Sequence, residues 1–125
     1  MNELNFQKIV DILQTVFPNK WVKVIFYAEY TSGSFSMKYY ADLGNGTYVD
    51  CYSATDKSKA QFIKTFMAID KEIAPVRKTL DEKQKWSVMT IKIEANGEFK
   101  AFFDYTNIEG NILQFHDEWE KKYLV

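Results

Sequence analysis

The amino-acid sequence predicts an α+β domain: a five-stranded, mostly antiparallel sheet with helices packed on one face, in the order α-β-β-β-α-β-β-α. Two observations support this. Apolar residues recur every three or four positions near the start, middle and end of the chain, and every second position in between. With 125 residues, 46% of them apolar, the chain is expected to form a single domain over residues 1–125.

The first helix is predicted in the segment NELNFQKIVDILQTVFPNK. Its apolar residues step by three or four and so share one stripe. Pro18 should end the helix, because proline cannot donate a backbone hydrogen bond. The stripe consists of Phe6, Ile9, Val10, Leu13, Val16 and Phe17.

Three strands should follow, beginning near Trp21. The turn TSGS separates the first two, and the loop DLGNG leads to a third around TYVDCYS. The period of two assigns alternate residues to a core face and an opposite face. The expected core face carries Val22, Val24, Phe26, Ala28, Tyr30, Phe35, Met37, Tyr39 and Ala41.

A long helix should begin after Ser58, because Ser58 and Gln61 have the spacing of a capping box. Pro75 should kink or split this helix. The apolar seam expected to lie along the sheet consists of Phe62, Phe66, Ile69, Ile73, Val76 and Leu80.

The last two strands should form a hairpin over residues 86–105. A three-residue loop, Ala95-Asn96-Gly97 with Gly97 left-handed, pairs Ile93 with Phe99 and keeps apolar residues together. A two-residue Asn96-Gly97 turn would mix apolar and charged residues on one face. A short C-terminal helix follows, with an apolar stripe of Ile112, Phe115, Trp119 and Tyr123.

The bulk composition excludes several classes of protein. A net charge of −1 and a pI near 5.8 argue against direct nucleic-acid binding, which needs a basic surface. No run approaches the eighteen apolar residues that span a membrane, and the start MNELNFQKIVDILQ is unlike a secretion signal. The single cysteine, Cys51, cannot form an internal disulfide. The expected localisation is cytoplasmic.

The sequence contains no recognisable catalytic, metal or cofactor motif. His116 and Asp117 point about 100° apart on their helix, and no nucleophile is placed beside them. Cys51 is expected to be a small, half-buried apolar residue on a strand. One Cys and one His in distant segments lack the clustered spacing of a zinc site. The chain is therefore expected not to be an enzyme. A hydrolase using paired carboxylates such as Asp42 and Asp50 is the weakest alternative.

The sheet face opposite the core carries tyrosines and carboxylates in three successive segments. Tyrosine offers a rigid ring with a polar tip, and carboxylates attract a basic partner. If this face is open to solvent, substitutions on it should change stability little. The alternative is an ordinary solvated face on which tyrosine reflects β-propensity alone. The candidate partner contacts are Tyr27, Glu29, Tyr40, Asp42, Asp50 and Tyr52.

Several segments together resemble a known family. They are VFPNKWVKVIFYAEY, Trp86 opening a strand, FDY at 103–105 and the ending EWEKKYL. In their order and spacing they resemble the YezG-like immunity proteins, antitoxins against LXG and related secreted toxins of polymorphic systems. The resemblance implies a non-enzymatic cytoplasmic inhibitor that binds a cognate bacterial toxin, with the C-terminal nuclease domain of that toxin as the expected partner.

A second function remains open at the level of sequence. A curved sheet with helices could enclose an aromatic-lined cavity for a small molecule, with His116 or a tyrosine as the polar anchor. A toxin gene beside this one would favour the immunity function.

Overall fold

The computed structural model describes residues 3–124, so positions 1, 2 and 125 of the expected domain lie outside the described residues. Five strands form one sheet, in which the third strand of the chain is followed by the second, first, fourth and fifth. No helix within residues 3–124 has the length and apolarity needed to cross a membrane. The elements are α1 (Phe6–Leu13), a 3₁₀ turn (Gln14–Val16), β1 (Lys23–Thr31), β2 (Ser34–Asp42), β3 (Tyr48–Asp50), α2 (Cys51–Ala54), α3 (Lys59–Lys78), β4 (Val88–Glu94), β5 (Phe99–Asp104) and α4 (Ile112–Tyr123).

The predicted sheet and the predicted order of the main elements are confirmed. All neighbouring strands run antiparallel, and β1 lies at the centre between β2 and β4. Thr31 pairs with Ser34, so Ser32 and Gly33 form a two-residue turn. Gly33 has φ +80°, a conformation that glycine adopts without strain.

Helices α1 and α3 cover one face of the sheet and form the larger core with it. The predicted capping box is present: Gln61 N donates to Ser58 Oγ, and Ser58 N donates to Gln61 Oε1. Pro75 lies inside α3 but does not split it, since the helix continues to Lys78. The core includes Ile9, Leu13, Phe26, Tyr39, Phe62, Ile69, Ile73 and Ile91.

The second hairpin has the predicted bulged register. Ile93 pairs with Phe99, and Met89 pairs with Phe103. Gly97 has φ +95° and its N–H donates to the carbonyl of Glu94. The three-residue loop therefore keeps the apolar residues of β4 and β5 on a common face.

The helices do not all pack on one face, contrary to expectation. Helix α4 covers the opposite face and forms a second core. The cause lies in β1, where Val24 to Ala28 are five consecutive buried residues, so both faces of the central strand need covering. The buried members of the second core are Ile25, Tyr27, Tyr40, Val88, Ile108, Trp119 and Tyr123.

The third strand is shorter than the sequence suggested. It ends at Asp50, whose side chain accepts hydrogen bonds from the N–H groups of Tyr52 and Ser53 and so starts α2. The expected strand through Tyr52 is therefore wrong. Cys51, expected to be half-buried on a strand, is fully buried at the start of α2.

Candidate partner-binding site

Two predicted contact residues, Tyr27 and Tyr40, are buried beneath α4. Tyr27 is fully buried and Tyr40 is 7% exposed. The ring of Trp119 lies 4.9 Å from that of Tyr27 and 5.6 Å from that of Tyr40, measured between centroids. The expectation that these tyrosines lie on an open face is wrong, because α4 buries their rings.

The hydroxyl groups of both tyrosines are hydrogen-bonded inside this cover. Tyr27 donates to Glu29 Oε1 at 2.6 Å, and the Tyr40 hydroxyl lies 3.2 Å from His116 Nε2. Burial raises the pKa of Tyr27, and the neighbouring Glu29 raises it further. Glu29, itself half-buried, thus has a local structural partner.

His116, in the middle of α4, is half-buried and packs against aromatic rings. Its ring meets Tyr27 edge-on at 5.1 Å and stacks on Trp119 at 5.6 Å. Burial lowers the pKa of His116, and the positive charge of Lys38 lowers it further. The imidazole is therefore neutral near pH 7 and serves to pack α4 on the sheet.

Two other predicted residues, Asp42 and Asp50, lie at the edge of the sheet formed by β3. Asp42 pairs with Tyr48 across the β2–β3 ladder, and Asp50 pairs with Tyr40. The Asp42 carboxylate accepts hydrogen bonds from Gly44 N and Gly46 N. Asp50 caps α2 and is exposed to solvent. Both carboxylates therefore have local structural roles in addition to any role in binding.

Tyr52 is the exposed aromatic residue of the predicted set. Its side chain is 53% exposed, while the ring packs 4.9 Å from Phe62 on α3. Together with the half-buried Tyr48, these residues form what we call the β3 edge: Asp42, Tyr48, Asp50 and Tyr52. The structure thus divides the six predicted contacts, with Tyr27, Glu29 and Tyr40 at α4, and Asp42, Asp50 and Tyr52 at the β3 edge.

Two further surfaces were not identified from the sequence. The outward side of α3 exposes Ile63 and Met67, which form part of a groove of about 490 Å³. The sequence contained a signal for this surface, because Ile63 and Met67 are four residues apart on the side of the helix opposite the core seam. A second groove, of about 430 Å³, lies on the part of the sheet that α4 leaves uncovered, and its lining includes Lys23, Tyr48, Lys92, Glu94, Lys100 and Phe102.

The polar side chains of the described residues form no candidate metal site. Within residues 3–124, no group of three or more His, Cys, Asp or Glu side chains is placed to hold a metal ion. Every buried side-chain nitrogen and oxygen in that range has a hydrogen-bond partner. Burial raises the pKa of the Cys51 thiol, which disfavours the reactive thiolate.

Comparison with known proteins agrees with the resemblance read from the sequence. A protein-family model described as "Immunity protein YezG-like" matches residues 1–124. A search of the curated proteins found no match.

Proposed function

Because the chain belongs to the YezG-like immunity protein family, we propose that it binds and neutralises a cognate toxin with a nuclease domain. The family gives the chain a general immunity role. The finer proposal is a non-enzymatic inhibitor that acts in the cytoplasm, as a single domain over residues 1–125, against a secreted toxin of the LXG or a related polymorphic kind. The observation that carries the proposal is the family match over 1–124.

We place the toxin contact at the β3 edge. The edge combines the exposed ring of Tyr52 with the carboxylates of Asp42 and Asp50. A nuclease needs a basic groove to hold phosphates, and acidic groups beside an aromatic anchor complement such a groove. Helix α4 covers Tyr27 and Tyr40, and Glu29 accepts a hydrogen bond from Tyr27. We propose that these three residues stabilise the sheet beneath the contact surface and do not touch the toxin.

The immunity role is tested by co-expression with a candidate toxin from a neighbouring gene. Cells should survive only when the intact chain is present, the two proteins should co-purify, and the chain should suppress nuclease activity of the purified toxin. Survival without the chain, or a toxin that neither binds it nor is inhibited by it, contradicts the proposal. If the chain inhibits a toxin that cleaves no nucleic acid, the immunity role stands but the proposal of a nuclease toxin is wrong.

The contact surface is tested by affinity measurements on two edge variants. Tyr52→Ala should cost about 1–3 kcal/mol of binding, as loss of an aromatic anchor does. Asp50→Asn keeps a side-chain oxygen for the α2 cap but removes the charge, so it should mainly slow association and weaken its salt dependence. Leu113→Ala, at a residue of α4 that is 84% exposed, is the matched control and should bind like the parent. Unchanged affinity in both edge variants places the interface elsewhere.

The small-molecule alternative has one observation in its favour, the groove of about 430 Å³ beside α4. His116, the expected polar anchor, does not line this groove, because it packs against Tyr27 and Trp119. The lining mixes lysines with Glu94 and Glu98, unlike the mostly apolar pockets that bind small molecules. These features favour the immunity function.

A further inference from the structure

The outward side of α3 is a second surface suited to a protein partner. The helix buries Phe62, Ile69 and Ile73 against the sheet. On the opposite side, Ile63 and Met67 are 51% and 54% exposed. Exposed apolar residues at helical spacing, gathered in one groove, are typical of binding surfaces. The groove of about 490 Å³ is lined by Ala60, Ile63, Lys64, Met67, Ala68 and Lys71.

The charge on this side of α3 is entirely positive. Lys64, Lys71 and Lys78 recur at seven-residue intervals, all exposed, and so form one row beside the apolar pair. The two carboxylates of the helix are engaged elsewhere. Asp70 accepts a 2.6 Å hydrogen bond from the Tyr30 hydroxyl, and Glu72 pairs with Lys8 at 3.2 Å. Within residues 3–124, none of the three lysines in the row is within ion-pair distance of a carboxylate.

We propose that this surface binds an acidic amphipathic helix of a protein partner. The small side chains of Ala60 and Ala68 leave room for a second helix to approach α3, so that its apolar residues reach Ile63 and Met67. Carboxylates on the partner helix would then face the lysine row. This proposal goes beyond the toxin contact, which we assigned to the β3 edge.

Two other occupants fit the surface less well. A symmetric dimer through α3 would bring the lysine rows of two copies together, and like charges across an interface oppose binding. A lipid surface attracts lysines, but membrane-binding helices insert several large apolar or aromatic residues. Here only Ile63 and Met67 are large, apolar and exposed on this side of α3, and neither is aromatic.

The test uses a designed peptide as the probe and the full chain as the receptor. The peptide has about twenty residues, with leucines on one helical face and glutamates on the other, and a control peptide has the same composition in scrambled order. Fluorescence anisotropy should show that the amphipathic peptide binds at least ten-fold more tightly than the scrambled one. The affinity should fall as salt is raised. Equal binding of the two peptides overturns the proposal.

Variants then assign the binding to α3. The double variant Ile63→Ser with Met67→Ser should weaken peptide binding at least ten-fold. The double variant Lys64→Glu with Lys71→Glu should also weaken binding of the acidic peptide at least ten-fold. It should bind instead a peptide in which lysines replace the glutamates. The matched control, Lys23→Glu with Lys100→Glu, makes the same charge change on exposed residues of another surface and should bind like the parent.

Three outcomes contradict the proposal. The first is an equal loss of affinity in the control variant. The second is binding to vesicles of phosphatidylserine and phosphatidylcholine that depends on Ile63 and Met67 while the peptide does not bind. The third is concentration-dependent dimerisation in sedimentation that the same substitutions abolish. Because no toxin is used, none of these outcomes bears on the immunity role.

Discussion

The indole nitrogen of Trp119 on α4 donates a 2.9 Å hydrogen bond to the hydroxyl of Thr90 on β4. Thr90 is fully buried and Trp119 is 3% exposed, so the bond joins α4 to the sheet beyond the reach of solvent. A buried donor that loses its partner costs more free energy than the bond itself contributes. We therefore expect that loss of this single bond weakens the packing of α4 on the sheet.

Replacement of Thr90 by valine should destabilise the protein by about 1–3 kcal/mol, because it leaves the Trp119 N–H buried without an acceptor. Urea unfolding measures the change. The exposed Thr106→Val is the control and should alter stability by less than about 0.5 kcal/mol. If Thr90→Val is as stable as the parent, α4 does not depend on this bond.

Truncation of Tyr27 to alanine should lower stability by about 3–5 kcal/mol, as the removal of large buried side chains does. This reverses the sequence-based expectation that substitutions on this face change stability little. Tyr105→Ala, at a side chain that is 59% exposed, is the matched control and should unfold at nearly the same urea concentration as the parent. Equal midpoints for both variants would mean that α4 does not bury Tyr27 in solution.

Substitution of Gly97 by valine should destabilise the domain by roughly 1 kcal/mol or more, since a β-branched residue is strained at φ +95°. Apart from Gly97 and its two chain neighbours, no atom lies within 4 Å of the position that a Cβ would take, so the cost comes from the backbone and not from a clash. Gly97→Asn, which tolerates positive φ, should lose less stability than Gly97→Val. Thermal or urea unfolding measures the stability of the two variants. Equal losses of stability would argue against backbone strain as the cause.

Acidification should destabilise the protein through His116. Burial and Lys38 lower its pKa in the folded state below the unfolded value of about 6.5. As the pH falls through that value, the unfolded chain takes up a proton more readily than the native one, so the free energy of unfolding decreases. The charged groups that also act on the ring are Glu120, Glu29 and Asp117.

The measurement is urea unfolding from pH 7.5 to 5.5, above the range in which most carboxylates titrate. His116→Gln retains a group able to hydrogen-bond with Tyr40 but cannot titrate, so its stability should depend less on pH than that of the parent. Identical pH profiles for the two proteins would assign the acid sensitivity to other groups.

Much of the fold could be predicted because it follows from interactions between residues close in sequence. The stripe of α1, the capping box at Ser58 and the bulged loop at Gly97 each depend on a few neighbouring residues. The end of β3 could not be predicted in this way. Asp50 suits a strand position in the alternating pattern, but its carboxylate also caps α2, and that second role decided the local structure.

The candidate site was only partly predicted, for a different reason. The sequence placed Tyr27 of β1 and Tyr40 of β2 opposite the main core, and this placement is correct. It did not reveal that a helix covers them. Nor did it single out Ile63 of α3, since the apolar seam on the other side of that helix gave no reason to expect a second apolar surface.

By itself, the sequence determined the main elements, their order, the family and most of the core face of the sheet, although Val22 and Phe35, predicted on that face, are exposed. Only the tertiary structure decided which face α4 covers, and hence which predicted contacts are buried and which stay exposed at the β3 edge. The physical reason is that apolar periodicity shows which side of a helix must be buried. It does not show which surface that side packs on, because the hydrophobic effect is non-directional. Thr90 and Trp119 are 29 positions apart and form the hydrogen bond between α4 and the sheet only in the folded chain.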